Sequence, residues 1–152
     1  YKACTKLKEY VDLVIMGESD LKIAETENII VNSRGDITEY EAKTDVLVCI
    51  LNKKGTQIPG KIYHYAATNK PILVLIDGDN KKEMRDYLSS FNRYIICDNN
   101  EEDIINTIRK LMKSSKKYTP VKAFSPKTIA KNILNTLTID SEWAILLNTI
   151  AV

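Results

Sequence analysis

Short apolar runs alternate along this chain with stretches of helical spacing. Five runs predict strands, at residues 11–16, 27–32, 45–51, 71–76 and 93–97. The runs are continuous in Val, Ile and Leu, which is typical of parallel strands covered by helices on both faces. Strands that alternate with helices predict an α/β fold, with a doubly wound, mainly parallel, Rossmann-like sheet and helices on both of its faces.

The stretches between the runs predict the helices, at residues 37–43, 61–69, 80–90, 100–115 and 125–137. Asp36 and Ser125 are natural N-caps for the first and the last of them, and Pro126 suits a first helical position. Residues 113–117 are predicted to be an exposed linker. We expect one domain over residues 1–137, and an extension over 138–152 that forms a helix or a strand.

Composition excludes several classes of protein. The 152 residues suffice for one buried core. The 22 basic and 20 acidic residues give a net charge of +2, which is too balanced to indicate nucleic-acid binding. No apolar run approaches the roughly 20 residues that cross a bilayer. The cysteines, Cys4, Cys49 and Cys97, have no CxxC spacing, and their odd number favours a reducing cytoplasm. No metal-ligand spacing is present.

A ligand site is expected beyond the carboxyl ends of the strands, where parallel sheets bind their ligands. Three junctions have suitable residues: Gly17, residues 32–37, and the long turn over residues 52–60. In the third junction Gly55 and Gly60 allow close backbone approach, and Lys61 opens a helix whose amino end attracts anions. The alternative is a solvated lysine on an ordinary turn. Neither a P-loop nor a dinucleotide-binding fingerprint is present.

One central motif resembles a known family. Residues 44–50 (TDVLVCI) and 57–75 (QIPGKIYHYAATNKPILVL) are similar to the strand, loop and helix of the C-terminal domain of two-Rossmann-domain (GT-B) glycosyltransferases. Residues 30–37 and 99–112 are similar to flanking segments of that domain. The resemblance covers roughly residues 11–137. It identifies the chain as similar to the nucleotide-sugar-binding half of such an enzyme.

The resemblance implies a set of donor-binding residues. The turn and helix start at Gln57, Ile58, Pro59, Gly60 and Lys61 would lie against the diphosphate and the donor sugar. Gly35, Asp36 and Ile37 would lie near the base, and Gly17 near the phosphates or the interdomain cleft.

Three departures from the family pattern matter. The family's pair of glutamates corresponds to Thr56 and His64. His64 can still hydrogen-bond a hydroxyl, or it is a surface histidine on a helix. Asn69 stands where the family prefers a glycine, and Asn is the usual alternative in a left-handed helix cap. The family's first strand, its Gly-rich turn and its N-terminal domain would precede the helix predicted at residues 2–10.

The resemblance implies transfer of a sugar from a nucleotide diphosphate donor to a glycan or lipid-linked acceptor, in polysaccharide or other glycoconjugate assembly. Its partners would be the donor, the acceptor and the protein's own N-terminal domain, with no nucleic acid, metal or cofactor. We expect the chain by itself to be inactive, because the catalytic base and the acceptor pocket belong to the N-terminal domain. We expect it in the cytoplasm, and lipid-linked acceptors would bring it to the membrane periphery.

Two alternatives remain open. A nucleotide-sugar epimerase of the same superfamily would have a similar loop at Lys61. A non-catalytic doubly wound module, such as a receiver domain, would need an acidic pair after its first strand and an Asp at the end of its third. The third strand here ends in Leu51-Asn52, which argues against a receiver.

Overall fold

Parallel strands in two small sheets form the framework of the protein. The computed structural model describes residues 1–17, 22–55 and 57–136. In these residues β1 (Leu13–Met16) pairs with β2 (Ile29–Asn32), and β4 (Ile72–Ile76) lies between β3 (Leu47–Ile50) and β5 (Ile95–Asp98). All three pairings are parallel. The predicted α/β class is therefore confirmed, and each strand overlaps its predicted run.

The helices lie where the sequence predicts them, with shorter bounds. They are α1 (Lys2–Lys6), α2 (Thr38–Lys43), α3 (Lys61–Ala66), α4 (Lys81–Ser89), α5 (Glu101–Met112) and α6 (Pro126–Thr136), the last preceded by a 3-10 turn at Lys122–Phe124. The prediction of a left-handed cap at Asn69 is wrong. Helix α3 ends earlier, its C-cap Ala67 is right-handed, and among described non-glycine residues only Asn92 has a positive φ.

The chain divides into two units, described separately below. The first comprises residues 1–120 and contains both sheets, and the second begins at Val121 and contains α6. Residues 113–117, the predicted linker, are exposed. Ser125 accepts a hydrogen bond from the Thr128 amide, which confirms it as a helix cap. The predicted extension at residues 138–152 lies outside the described residues. Among the described helices, none has the length and apolar character that crossing a membrane requires.

Strand β4 is the centre of the core of the first unit. On one face Leu73 and Leu75 pack with Cys97, and Ile104 and Ile108 of α5 cover them. On the other face Ile72, Val74 and Ile76 are fully buried. A strand covered on both faces needs apolar residues at every position, which explains why this run is continuous rather than alternating.

Strand β3 is an edge strand that pairs only with β4 among the described residues. The amides of Leu47 and Leu51 donate to β4, so the backbone groups of the alternate residues Val48 and Ile50 point away from it. These two side chains are 43% and 59% exposed. They share a face with Leu73 and Leu75, because the parallel register pairs them. Strand β1 likewise pairs only with β2 among the described residues.

Two cations stabilise the amino end of the three-stranded sheet, where its strands begin. The Lys70 ammonium donates to the carbonyls of Glu41, Ala42 and Thr44 at 2.6–2.7 Å, and so caps the C-terminus of α2. The buried Arg93 guanidinium donates to the Thr68 and Lys70 carbonyls, both at 2.8 Å. These bonds satisfy carbonyl groups that helix ends and the turn before β4 would otherwise leave without partners.

The Tyr118 ring covers Arg93 from the side of the linker. The ring lies 5.4 Å from the Arg93 guanidinium carbon and 5.2 Å from the Lys116 ammonium. Both distances are in the range of cation–π attraction. The ring therefore holds the chain that follows α5 against the first unit.

Candidate functional site

The carboxyl ends of β1 and β2 meet at Gly17. Its amide donates to the Asn32 carbonyl at 3.0 Å, which places the first predicted junction beside the second. Gly17 has a φ of +137°, which L side chains rarely adopt, although a Cβ there would meet no atom within 4 Å. The backbone conformation, and not lack of space, therefore requires glycine at this turn.

The predicted base-binding residues, Gly35, Asp36 and Ile37, connect β2 to α2. The Asp36 carboxylate accepts a hydrogen bond from the Thr38 amide at 2.8 Å. A hydrogen bond from the Thr38 side chain, and then the one from its amide, lower the pKa of Asp36. The amide bond makes the Asp36 carboxylate the predicted cap at the start of α2. Gly35 is exposed, and a Cβ there would come no closer than 4.0 Å to the Ser33 carbonyl oxygen. The backbone of Gly35 is thus accessible, while the carboxylate of Asp36 already has a structural role.

The turn after β3 leads directly into α3. Gln57, Gly60 and Lys61 are exposed, whereas Ile58 and Pro59 are half-buried. The amide of Ile62 donates to the Pro59 carbonyl at 3.0 Å, and this bond closes the turn onto the helix. The position Thr56 lies outside the described residues. Since α3 has only six residues, the positive charge of this junction comes from its lysines, Lys53, Lys54 and Lys61.

The Lys61 ammonium lies within electrostatic reach of the sheet. Burial raises the pKa of the Cys49 thiol in β3 to about 11, and the positive charge of Lys61 opposes that rise. Cys49 belongs to the carboxyl half of β3, so the charge of Lys61 acts on this half of the strand. His64 lies one turn further along α3 and is exposed, and its ring centroid is 6.0 Å from that of the neighbouring Tyr65.

Two acidic residues, which the sequence analysis did not assign to the site, also lie at this end of the sheet. Asp77 follows β4 and accepts hydrogen bonds from the Gly78 amide (2.8 Å) and the Asn99 side chain (3.1 Å). These bonds, and then the charges of Lys53 and Lys81, lower the pKa of Asp77. Asp98 ends β5 and pairs with Arg85 at 2.7 Å. The sequence signal was a carboxylate directly after the apolar run of β4 for Asp77, and one at the end of the run of β5 for Asp98.

Gly78 holds the turn after β3 in place. A Cβ on Gly78 would lie 2.0 Å from the Lys53 carbonyl oxygen, and the residue has a φ of +81°. The loop after β4 therefore packs directly on the backbone of the turn that leads to Lys61.

None of the three cysteine thiols is exposed. All three cysteines are buried, and burial raises the pKa of each. We therefore expect slow reaction with an aromatic disulfide reagent in the folded protein, and rapid reaction of three thiols after unfolding. The folded pKa of Cys49 exceeds its ordinary value of 9.0. Its contribution to stability is thus complete below that pH and is lost as pH rises toward 11.

Denaturation titrations across that alkaline range measure this loss. Cys49→Ala should reduce the slope of unfolding free energy against pH. A fast-reacting thiol in the folded protein would contradict the predicted burial.

The predicted site residues thus fall into two groups. Gly17 and residues 35–37 lie at the carboxyl end of the two-stranded sheet, and residues 57–61 with His64 lie at the carboxyl end of the three-stranded sheet. Among the described residues, no hydrogen bond or ion pair joins the two groups. Each group offers accessible backbone at a glycine, and the second adds a lysine, which is a combination suited to an anionic ligand. Comparisons with known protein families, with curated proteins and with solved structures found no match to this chain.

Proposed function

We propose that this chain is the donor-binding half of a two-domain glycosyltransferase, and that it binds a nucleotide-diphosphate sugar. The observation that carries the proposal is the third junction. There a glycine-containing turn follows the parallel strand β3 and ends at an exposed lysine, Lys61, which is the first residue of α3. Parallel sheets bind phosphorylated ligands at that edge.

The unpaired edges of β1 and β3 fit a Rossmann-like, doubly wound sheet in which one further strand lies between them. In such a sheet the order would be β2-β1, the further strand, then β3-β4-β5, with right-handed crossovers between parallel neighbours. The further strand would lie beside β1, and its other edge would meet β3. It would cover Val48 and Ile50, which are exposed on the α5 face.

Different residues of the chain would bind different parts of the donor. Lys61 and the backbone of residues 57–60 would bind the diphosphate and stabilise it as the leaving group. The backbone of Gly35 and Ile37 would contact the base, since the Asp36 carboxylate caps α2. His64 would hydrogen-bond a ribose hydroxyl from its exposed position on α3. The catalytic base and the glycan or lipid-linked acceptor would belong to the other domain, so this chain would bind donor without turnover.

Calorimetric titration with nucleoside diphosphates tests the proposal. We expect binding, and we expect Lys61→Ala to weaken it by about tenfold or more, because a hydrogen bond to a charged group is lost. The matched control is Lys82→Ala, which removes an exposed lysine of α4 that forms no ion pair with any described residue. The control should bind like the unchanged protein.

Two outcomes would contradict the proposal. One is a folded sample that binds no nucleoside diphosphate. The other is an equal loss of affinity in the Lys61 and Lys82 variants, which would assign the effect to overall charge.

For His64, the test compares the affinities for a ribonucleoside diphosphate and for its 2′-deoxy counterpart. The difference between these two affinities should vanish in His64→Ala.

A further inference from the structure

Charge is distributed very unevenly along the chain. From residue 104 to residue 136 the sequence contains seven lysines, one arginine and no acidic residue. The other 14 basic residues share the remainder with all 20 acidic residues. A small net charge therefore conceals one strongly basic segment, a pattern that indicates interaction with an anionic partner.

Five of these eight basic residues belong to the first unit, and they form one exposed run. Arg109, Lys110 and Lys113 lie in or just after the last turn of α5, and Lys116 and Lys117 follow on the linker. We call residues 109–117 the basic segment. All five side chains are exposed, and none forms an ion pair with another described residue. Cations do favour helix C-termini, but that preference does not account for the lysines beyond the helix.

An apolar side chain lies within the basic segment. Met112 is 53% exposed, between the cations of the last turn and those of the linker. The linker is also held in position, because the Tyr118 ring contacts both Arg93 and Lys116. The basic segment therefore combines exposed cations with a flexible apolar side chain that can enter an apolar phase.

The basic segment is remote from the candidate donor site. Helix α5 begins just after Asp98, at the carboxyl end of β5, and its 12 residues span about 18 Å. Its last turn therefore lies toward the amino edge, where Arg93 and Tyr118 also meet. A ligand at the carboxyl edge and a partner on the basic segment would not compete.

The second unit also combines exposed cations with exposed apolar side chains. On α6, Lys127 and Lys131 are exposed one turn apart, and the helix contains no acidic residue. Ile129 and Leu134 are 44% and 62% exposed. A basic helix with exposed apolar residues is typical of helices that lie on a membrane surface.

We propose that the basic segment docks on the anionic surface of a lipid bilayer. Lysine ammonium groups attract anionic headgroups without requiring a fixed geometry, and Met112 adds an apolar contact. A nucleic-acid site would use arginine forks and aromatic rings that are free to stack. In the basic segment four of the five cations are lysines, and the Tyr118 ring already contacts Arg93 and Lys116.

Vesicle flotation tests the proposal with the full chain. We expect it to float with vesicles of mixed phosphatidylcholine and phosphatidylglycerol, and not with phosphatidylcholine alone. Binding should weaken as salt is added. The variant Lys110→Gln/Lys113→Gln/Lys117→Gln should lose on the order of a hundredfold in partitioning, since each cation contributes about fivefold.

A charge-matched control separates this surface from general electrostatics. Lys8→Gln/Lys22→Gln/Lys82→Gln removes three exposed lysines elsewhere and should retain binding. Circular dichroism checks that each variant is folded, and Met112→Ser, which keeps every charge, should reduce the binding that persists at high salt. Absence of binding to anionic vesicles, or equal losses in both triple variants, would overturn the proposal. Duplex or single-stranded DNA that displaces the chain from vesicles would favour nucleic acid and would overturn it too.

Discussion

Gly78→Ala is expected to lower the free energy of unfolding by about 3 kcal/mol or more, and to weaken donor binding as well. A left-handed φ costs an alanine about 1–2 kcal/mol. Its methyl group would also lie 2.0 Å from the Lys53 carbonyl oxygen, so one of two backbone segments must move. The segment that moves is the turn leading to Lys61. Chemical denaturation measures the first effect, and titration with a nucleoside diphosphate measures the second.

Gly60→Ala is the matched control for that substitution. Gly60 has a right-handed φ of −55°, and a Cβ there would meet nothing within 4 Å. Its stability should remain unchanged or rise by about 0.5 kcal/mol. If the donor contacts the backbone at Gly60, this variant should lose affinity while remaining stable. Equal stability of the Gly78 and Gly60 variants would show that the two loops do not pack as described.

Ile62→Ala is expected to destabilise the protein by about 3 kcal/mol, since it leaves a cavity in a closed site. Ile62 is fully buried and directly follows Lys61. Its amide donates to Pro59, and its carbonyl accepts from the Tyr94 hydroxyl at 3.2 Å. The side chain therefore anchors the start of α3, and with it the position of the lysine.

A graded series distinguishes packing from a direct role in binding. Ile62→Val should cost about 1 kcal/mol, and it should leave donor affinity nearly unchanged. His64→Ala, on the exposed side of the same helix, should leave stability unchanged. An Ile62→Ala variant as stable as the unchanged protein, measured by denaturant titration, would show that α3 is not anchored through this side chain.

The order and type of the elements could be predicted from the sequence, because they depend on local patterns. Continuous apolar runs such as residues 72–76 occur where both faces of a strand are covered, and the caps at Asp36 and Ser125 act over two or three residues. Helix ends were less predictable. Helix α3 ends at Ala66, before Asn69. This end could not be predicted, because no local pattern indicates how the following residues pack.

Contacts between distant segments could not be predicted. Lys70 caps a helix whose C-cap, Thr44, lies 26 residues earlier, and the Gly78 loop packs on Lys53. Both depend on which strands are neighbours, and a sequence without alignment does not specify strand order. For the same reason Asp77 and Asp98 could not be predicted to share one end of the sheet. Asp77 follows β4 and Asp98 ends β5, and only the pairing of the two strands brings these ends together.

The open edge of β3 has a consequence for the solubility of the chain. Its outward backbone groups can pair with any extended peptide, and the exposed Val48 and Ile50 would stabilise such a pair. Soluble proteins usually protect an edge of this kind with a lysine, a proline or a bulge, and residues 47–50 (LVCI) contain none of these. Colloidal stability of the chain therefore depends on what covers this edge, and a charged residue at position 48 would reduce self-association at the cost of that covering contact.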